Sequence, residues 1–250
     1  MATENPLVIE TKLLKSIITE TAFAASLQES RPILTGVHMV LSDHKDFKAV
    51  ATDSHRMSQR KLTLDNTSND FNVVIPSKSL REFAAVFTDD IETVEVFFSD
   101  SQMLFRSDYI SFYTRLLEGN YPDTDRLLTN SFETEVTFNT GALRSAMERA
   151  HLISNATQNG TVKLEITNNS ISAHVNSPEV GKVNEELDII DQSGSDLTIS
   201  FNPTYLIEAL KALKSETVVI RFISPVRPFT LMPGDDAENF IQLITPVRTN

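Results

Sequence analysis

Ile9-Glu10-Thr11-Lys12-Leu13-Leu14-Lys15-Ser16-Ile17-Ile18 opens the first helical pattern of the chain, and the pattern returns as Phe138-Asn139-Thr140-Gly141-Ala142-Leu143-Arg144-Ser145-Ala146-Met147. The matched positions are apolar, Thr, Leu, basic, Ser, apolar. Two further pairs keep the same order. Ile75 to Phe87 matches Phe201 to Leu213, each an apolar strand end, then a Pro and a hydroxyl residue, then a helical pattern. Glu92-Thr93-Val94 matches Glu216-Thr217-Val218. Self-similarity at a fixed period sets the architecture before any local reading does. It divides the chain into two domains of similar build, residues 1–129 and 130–250, each made of two strand–helix–strands units.

Apolar periodicity predicts four helices. They cover Thr11 to Ser26, Ser77 to Phe87, Gly141 to Ser154 and Pro203 to Lys214. The inward residues are Leu13, Leu14, Ile17, Ile18 and Phe23; Leu80, Phe83, Ala84 and Phe87; Leu143, Ala146, Met147 and Ala150; and Leu206, Ala209, Leu210 and Leu213. Thr11, Ser77, Thr140 and Asn202 are the expected N-caps, because a short polar side chain satisfies a free backbone donor. Pro203 suits a first helical turn. Between helices the chain alternates, as in Val94, Val96 and Phe98, in Val162, Leu164 and Ile166, and in the runs Leu197–Ser200 and Val218–Phe222. Asn168-Asn169 reads as a hairpin turn, since Asn tolerates positive φ. Polar loops are expected near Asp65 to Asp70 and Asn176 to Val180. Two helices per domain on mostly antiparallel sheets is an α+β layer architecture. No low-complexity linker divides the halves, so the two domains are expected to pack.

Composition narrows the function classes. The chain has 250 residues, 40% of them hydrophobic, enough for ordinary cores. No run of ~20 apolar residues is present to span a membrane. Met1-Ala2-Thr3-Glu4-Asn5-Pro6 has neither a basic nor an apolar signal region, so a cytoplasmic protein is expected. There is no cysteine, which excludes disulfides and thiolate metal sites. His38, His44, His151 and His174 lack metal-ligand spacing, and seven glycines form no phosphate-binding pattern. Asp89-Asp90 and Asp235-Asp236 read as turn acids. Neither cofactor nor metal is expected.

The net charge of −12 argues, taken whole, against nucleic-acid binding. The helices break that trend. Lys12, Lys15, Lys78, Arg81, Arg144, Arg149, Lys211 and Lys214 face only four acids, Glu20, Glu82, Glu148 and Glu208, on the same segments. These are either ordinary solvated helix faces or a basic surface along a DNA path. The second would give sequence-independent, salt-dependent phosphate contacts. With no aromatic residues interleaved on these faces, single-strand stacking is disfavoured.

One further stretch stands out, Ala51-Thr52-Asp53-Ser54-His55-Arg56-Met57, entered by the β-type run Phe47–Ala51. Three readings are open. It is a strand end and turn, because Asp and Ser bond their own backbone. It is a catalytic site built on Asp, Ser and His, although triads assemble across space and not within one turn. Or it is a binding rim, with Met57 as an adaptable apolar floor and His55 and Arg56 as polar edges.

Read with Ser30-Arg31-Pro32-Ile33-Leu34-Thr35-Gly36-Val37, Leu116-Leu117-Glu118-Gly119-Asn120-Tyr121-Pro122-Asp123 and Leu243-Ile244-Thr245-Pro246-Val247-Arg248, this stretch resembles the bacterial sliding clamp family, the β subunits of replicative DNA polymerases. The resemblance spans essentially the whole chain but only the second and third domains of a three-domain family pattern. It implies closed homodimeric rings of repeated domains around double-stranded DNA, with helices facing the hole and sheets outward. It therefore implies a DNA-facing role for the eight cations above, taken as a group. It also implies a groove between the second and third domains that takes short, disordered motifs of replicative and other DNA polymerases, the clamp loader and mismatch-repair proteins. The peptide-binding positions it implies are Leu34, Thr52, Ser54, His55, Arg56, Met57, Pro122, Leu127, Val226, Pro228, Leu243, Ile244, Pro246, Val247 and Arg248. Leu34, Met57, Leu127, Ile244 and Val247 offer apolar surface for buried anchors. His55, Arg56 and Arg248 offer donors, and Pro122, Pro228 and Pro246 stiffen the walls. No catalytic residue is implied.

Without the family's first domain, such a chain is expected not to close a ring. The tail, Thr245-Pro246-Val247-Arg248-Thr249-Asn250, departs from relatives that carry methionines around the proline, which bears on the depth of the groove. Two alternatives stay open: an acidic two-domain enzyme with its site around Thr52 to His55, and a peptide-binding adaptor with no DNA role.

Overall fold

A computed structural model of the chain describes residues 6–65, 69–129, 131–154, 160–168, 170–177 and 181–248. The expected turn at Asn168-Asn169 and the loops near 65–70 and 176–180 each include residues outside that set. The chain divides into two units, Met1–Asp123 and Thr124–Asn250. The division falls six residues before the one drawn from the repeat, because a short 3-10 turn at Asp125–Leu127 goes with the second unit.

The first unit runs β1 (Leu7–Glu10), α1 (Thr11–Thr21), β2 (Gly36–Ser42), β3 (Asp46–Thr52), β4 (Arg56–Thr63), β5 (Phe71–Pro76), α2 (Ser77–Val86), β6 (Thr93–Phe98), β7 (Gln102–Arg106) and β8 (Ser111–Arg115). The second runs β9 (Thr134–Asn139), α3 (Thr140–Ser154), β10 (Val162–Thr167), β11 (Ser170–Ser177), β12 (Gly181–Leu187), β13 (Asp191–Gly194), β14 (Leu197–Phe201), α4 (Pro203–Ala212), β15 (Thr217–Phe222), β16 (Phe229–Pro233) and β17 (Phe240–Ile244).

Strand pairing follows one rule in both units. The strand before each helix joins the other half's three strands. In the first unit β1 pairs with β6, followed by β7 and β8, while β5 pairs with β2, followed by β3 and β4. In the second, β9 pairs with β15, then β16 and β17, with β13 on its other side, while β14 pairs with β10, then β11 and β12. All these pairings are antiparallel. Each helix therefore carries the chain from one sheet to the other, and the two helices of a unit lie side by side. The repeat extends to single hydrogen bonds: Thr11 N donates to Glu92 O at 3.0 Å, and Thr140 N to Glu216 O at 2.9 Å.

Most of the apolar stripes predicted for the helices are buried, while Leu13, Phe23 and Ala84 are only partly so. Leu14, Ile17 and Ile18 of α1, Leu80 and Phe83 of α2, all four α3 positions, and Leu206, Ala209 and Leu210 of α4 are buried. Burying one such Leu, Ile or Phe side chain stabilises by roughly 1.5–3 kcal/mol. Phe83 stacks on Phe87 at 4.3 Å and meets Phe105 at 4.6 Å, which centres the first core. Phe229, 5.3 Å from both Phe201 and Phe222, centres the second.

The helix ends depart from the sequence reading. The first α-helix stops at Thr21 and tightens into a 3-10 turn at Ala22–Ala24, short of Ser26. The fourth stops at Ala212, so Lys214 lies beyond it. Of the four expected N-caps only Asn202 is one, its side chain accepting from Thr204 N at 2.9 Å. Thr11, Ser77 and Thr140 are instead the first helical residues. Thr140 yields its role to Asn139, whose Oδ1 accepts from Ala142 N at 2.9 Å.

Candidate functional site

In the first unit the stretch around His55 is the β3–β4 hairpin. Thr52 and Met57 are paired across it, and Asp53, Ser54 and His55 form its loop. Ser54 takes φ 79°, a left-handed conformation that non-glycine residues seldom adopt. Its neighbours hold it there. Ser54 N donates to Thr52 Oγ1 at 3.2 Å, and the Thr52 hydroxyl donates to Arg56 O at 2.6 Å. Asp53 Oδ1 accepts from His55 N at 2.9 Å and Arg56 N at 3.0 Å, while Oδ2 accepts from Arg56 Nε at 3.0 Å.

Arg56, expected as an outward polar edge, points its guanidinium inward. Its Nη2 donates to Phe23 O at 2.9 Å, and the group lies 5.4 Å from the centroid of the Phe23 ring. Arg81 donates similarly to Ala22 O at 2.8 Å, and Ser58 Oγ bonds Glu20 O at 2.5 Å. Two guanidinium groups thus sit on the carbonyls at the end of α1 and its 3-10 extension, where positive charge complements the helix dipole.

Tyr121 anchors the other side of the hairpin. Its hydroxyl accepts from Thr52 N at 3.0 Å, and its ring stacks on His38 at 4.9 Å. Burial pushes its phenol well above the ordinary tyrosine value; the Thr52 amide opposes this and the charge of Asp53 adds to it. Beside the hairpin is a cleft of about 360 Å³, lined by Ser26, Gln28, Ser30, Arg31, Leu34, Asp53, Ser54 and His55. Ser54, His55 and Pro122 are exposed, whereas Leu34 and Met57 are buried.

In the second unit a separate pocket of about 200 Å³ has Leu127, Phe132, Ile223, Pro228 and Leu243 among its walls, with Arg126, Arg221 and Arg227. Arg221 is held by Glu135 at 2.5 Å and lies over the Phe132 ring at 4.6 Å. Leu127 is 52% exposed and Val226 59%, so they present apolar surface to solvent; Leu243 and Ile244 are buried at 4% and 1%. Val247 N donates to Ser200 O at 2.7 Å, which fixes the tail after β17; Pro246 is partly buried, and Val247 and Arg248 are exposed.

Sequence reasoning missed Asp53, Tyr121 and Phe23 around the hairpin, and Phe132, Arg221 and Arg227 at the second pocket. Asp53 was legible as a turn former or as a catalytic acid, not as a residue that positions the rim. The others come from distant elements, and their roles depend on the fold.

The eight helix cations do not share one environment. Lys12, Lys78 and Arg144 are exposed. Lys15 is 2.5 Å from Asp89, and this hydrogen bond and charge hold the Asp89 carboxyl below its ordinary value. Arg149 bonds Glu185, which raises the guanidinium pKa further, and Lys211 is 3.4 Å from Glu148. Arg81 is committed to Ala22 O, and Lys214 is exposed. Glu20, counted against the basic face, turns inward instead, 3.4 Å from Arg60.

Both halves of the chain match known proteins. Residues 8–123 match the model for the DNA polymerase III beta subunit, central domain, and residues 125–248 match that for its C-terminal domain. The chain is 71% identical over 250 residues to the beta sliding clamp of Streptococcus pneumoniae serotype 4, covering all of this chain and 66% of that one. It is 54% identical over 248 residues to the beta sliding clamp of Lactococcus lactis, covering 98% and 65%. The crystal structure of the beta subunit from DNA polymerase of Streptococcus pyogenes superposes with a TM-score of 0.97 at 84% identity, covering 99% of this chain and 67% of that one. The Bacillus subtilis sliding clamp superposes at 0.94 with 40% identity, covering 100% and 66%. The chain thus spans about two thirds of the length of the curated relatives it matches. With the central and C-terminal domains matched in order and strand pairing that repeats between them, the chain belongs to the DNA polymerase III beta subunit family, the beta sliding clamps.

Proposed function

We propose that this chain serves DNA replication as the central and C-terminal portion of a sliding clamp, a processivity factor with no catalytic role of its own. The observation that carries the reading is the match of both domains, in order, to beta sliding clamps at up to 84% identity. In this reading the exposed Lys12, Lys78 and Arg144 meet DNA phosphates without reading sequence. The complete clamp is a ring homodimer around the duplex. Short motifs of polymerases, the clamp loader and repair proteins engage the His55 hairpin of the first unit and the Leu243–Arg248 strand end of the second. An apolar anchor suits the floor of Leu127, Pro228 and Leu243, and the exposed Arg227 beside it favours a motif with an acidic flank.

An enzyme centred on Thr52 to His55 gains nothing from the geometry. Asp53 accepts from two backbone amides and from Arg56 Nε, the pattern of a side chain that shapes its own turn, and Asp53, Ser54 and His55 are neighbours in one loop, whereas triads assemble across space. The deciding experiment is fluorescence polarisation with a labelled peptide of the Gln-x-x-Leu-Phe pattern. Ordering a disordered motif offsets part of the contact energy, so Kd is expected on the order of micromolar, or about −8 kcal/mol. His55→Ala should weaken it. Absence of saturable binding to the wild-type chain would remove the reading.

A further inference from the structure

We infer that Asp53 is a positioning residue for partner binding, presetting the Ser54–His55 rim in the conformation that a partner motif meets. The inference rests on the reading that such motifs engage this hairpin. It goes beyond that reading by assigning a positioning role to a side chain whose carboxylate oxygens are turned to the hairpin's own backbone and to Arg56.

A serine at φ 79° is unfavourable on its own and persists only where its surroundings over-determine it. Asp53 supplies most of that determination. One carboxylate oxygen gathers two successive amides, His55 N and Arg56 N, which fixes the path of the chain immediately after Ser54. The other oxygen takes Arg56 Nε, and the same guanidinium reaches Phe23 O beyond the end of α1. The Asp53 and Arg56 side chains are only 14% and 11% exposed, so this is no loosely solvated surface pair. Removing one partner of such an ion pair leaves the other charge poorly compensated. Ser54 and His55, exposed at the apex, are displayed by this frame.

The functional consequence is preorganisation. A rim already held in its bound geometry leaves less conformational entropy to be lost on association, and affinity rises without any added contact. The tether to Phe23 O also fixes the hairpin on the end of α1.

The test uses the chain as it is. Amide hydrogen exchange by NMR should find His55 N and Arg56 N protected in the wild type and fast-exchanging in Asp53→Ala. The fluorescein-labelled Gln-x-x-Leu-Phe peptide should bind Asp53→Ala about tenfold more weakly, a loss of about 1.4 kcal/mol, at a temperature where circular dichroism shows both chains folded. Asp53→Asn, which keeps an acceptor for both amides, should recover binding to within about threefold of wild type. If Asp53→Ala fails to fold, Asp53→Ser takes its place, since its shorter hydroxyl cannot hold both amides and Arg56 together. Unprotected amides in the wild type, or Ala- or Ser-variant binding within twofold of wild type, would overturn the inference. A wild-type chain with protected amides that binds no peptide would instead overturn the proposed function and carry this inference down with it.

Discussion

A Cβ added to Gly36 would lie 2.6 Å from Val74 Cγ1, 2.7 Å from Ile75 O and 2.8 Å from Leu117 Cδ1, closer than packed atoms approach. The clash includes backbone, so it is not relieved by turning one side chain. Gly36→Ala should cost about 1–3 kcal/mol, read as a lower urea midpoint with an unchanged slope. Tyr121 gives a second prediction at this scale. Its buried phenol is harder to ionise in the fold than in the unfolded chain, so the unfolded state releases the proton first as pH rises. Stability from this group is complete below its ordinary pKa near 10 and falls as pH climbs above it. Tyr121→Phe should flatten that alkaline decline and cost about 1 kcal/mol at neutral pH by stranding the Thr52 amide. Chemical denaturation of both chains from pH 7 to 11 checks the two together. Single-residue roles of this kind were the least legible in the sequence. Arg56 looked like a donor for a partner, and only the fold reveals that Phe23 O and Asp53 claim it.

Among the elements, apolar spacing revealed which helix faces are buried, because Leu14, Ile17 and Ile18 or Leu143, Ala146 and Met147 admit one inward stripe each. Helix ends were less legible for a physical reason. In Asn139-Thr140 either side chain is a chemically competent cap, and the choice is made by the residue just before β15, Glu216, whose carbonyl takes the Thr140 amide and draws the helix start forward. Asn139→Ala should therefore cost about 1 kcal/mol. Thr140→Val should be close to neutral, since Thr140 Oγ1 is buried with no hydrogen-bond partner. Equal losses in thermal or urea denaturation would return the cap to Thr140. The end of α1 was also misjudged, because the apolar pattern continues through Phe23 to Ala25 while the backbone tightens and two arginines close it off.

For the whole molecule, the repeat was the decisive sequence feature, since it survives as strand order and as single hydrogen bonds in both units. Net charge was the misleading one. An excess of −12 conceals exposed cations on the helices, and only the fold distinguishes the ion-paired Lys15, Arg149 and Lys211 from the exposed Lys12, Lys78 and Arg144, of which Lys12 still feels the charge of Asp89. Reversing those three exposed cations to Glu should weaken duplex-DNA association measured by anisotropy at low salt. It should also reduce the dependence of log K on log salt by up to about 3, at roughly 0.9 for each phosphate no longer neutralised. Peptide binding should be untouched. The central claim, that this is clamp machinery holding partner motifs, is tested most directly by amide chemical-shift mapping during titration with the Gln-x-x-Leu-Phe peptide. Saturating shifts concentrated at residues 52–57 and 243–248 are the expected result; shifts absent there, or spread over β6–β8 and β10–β12, would contradict it.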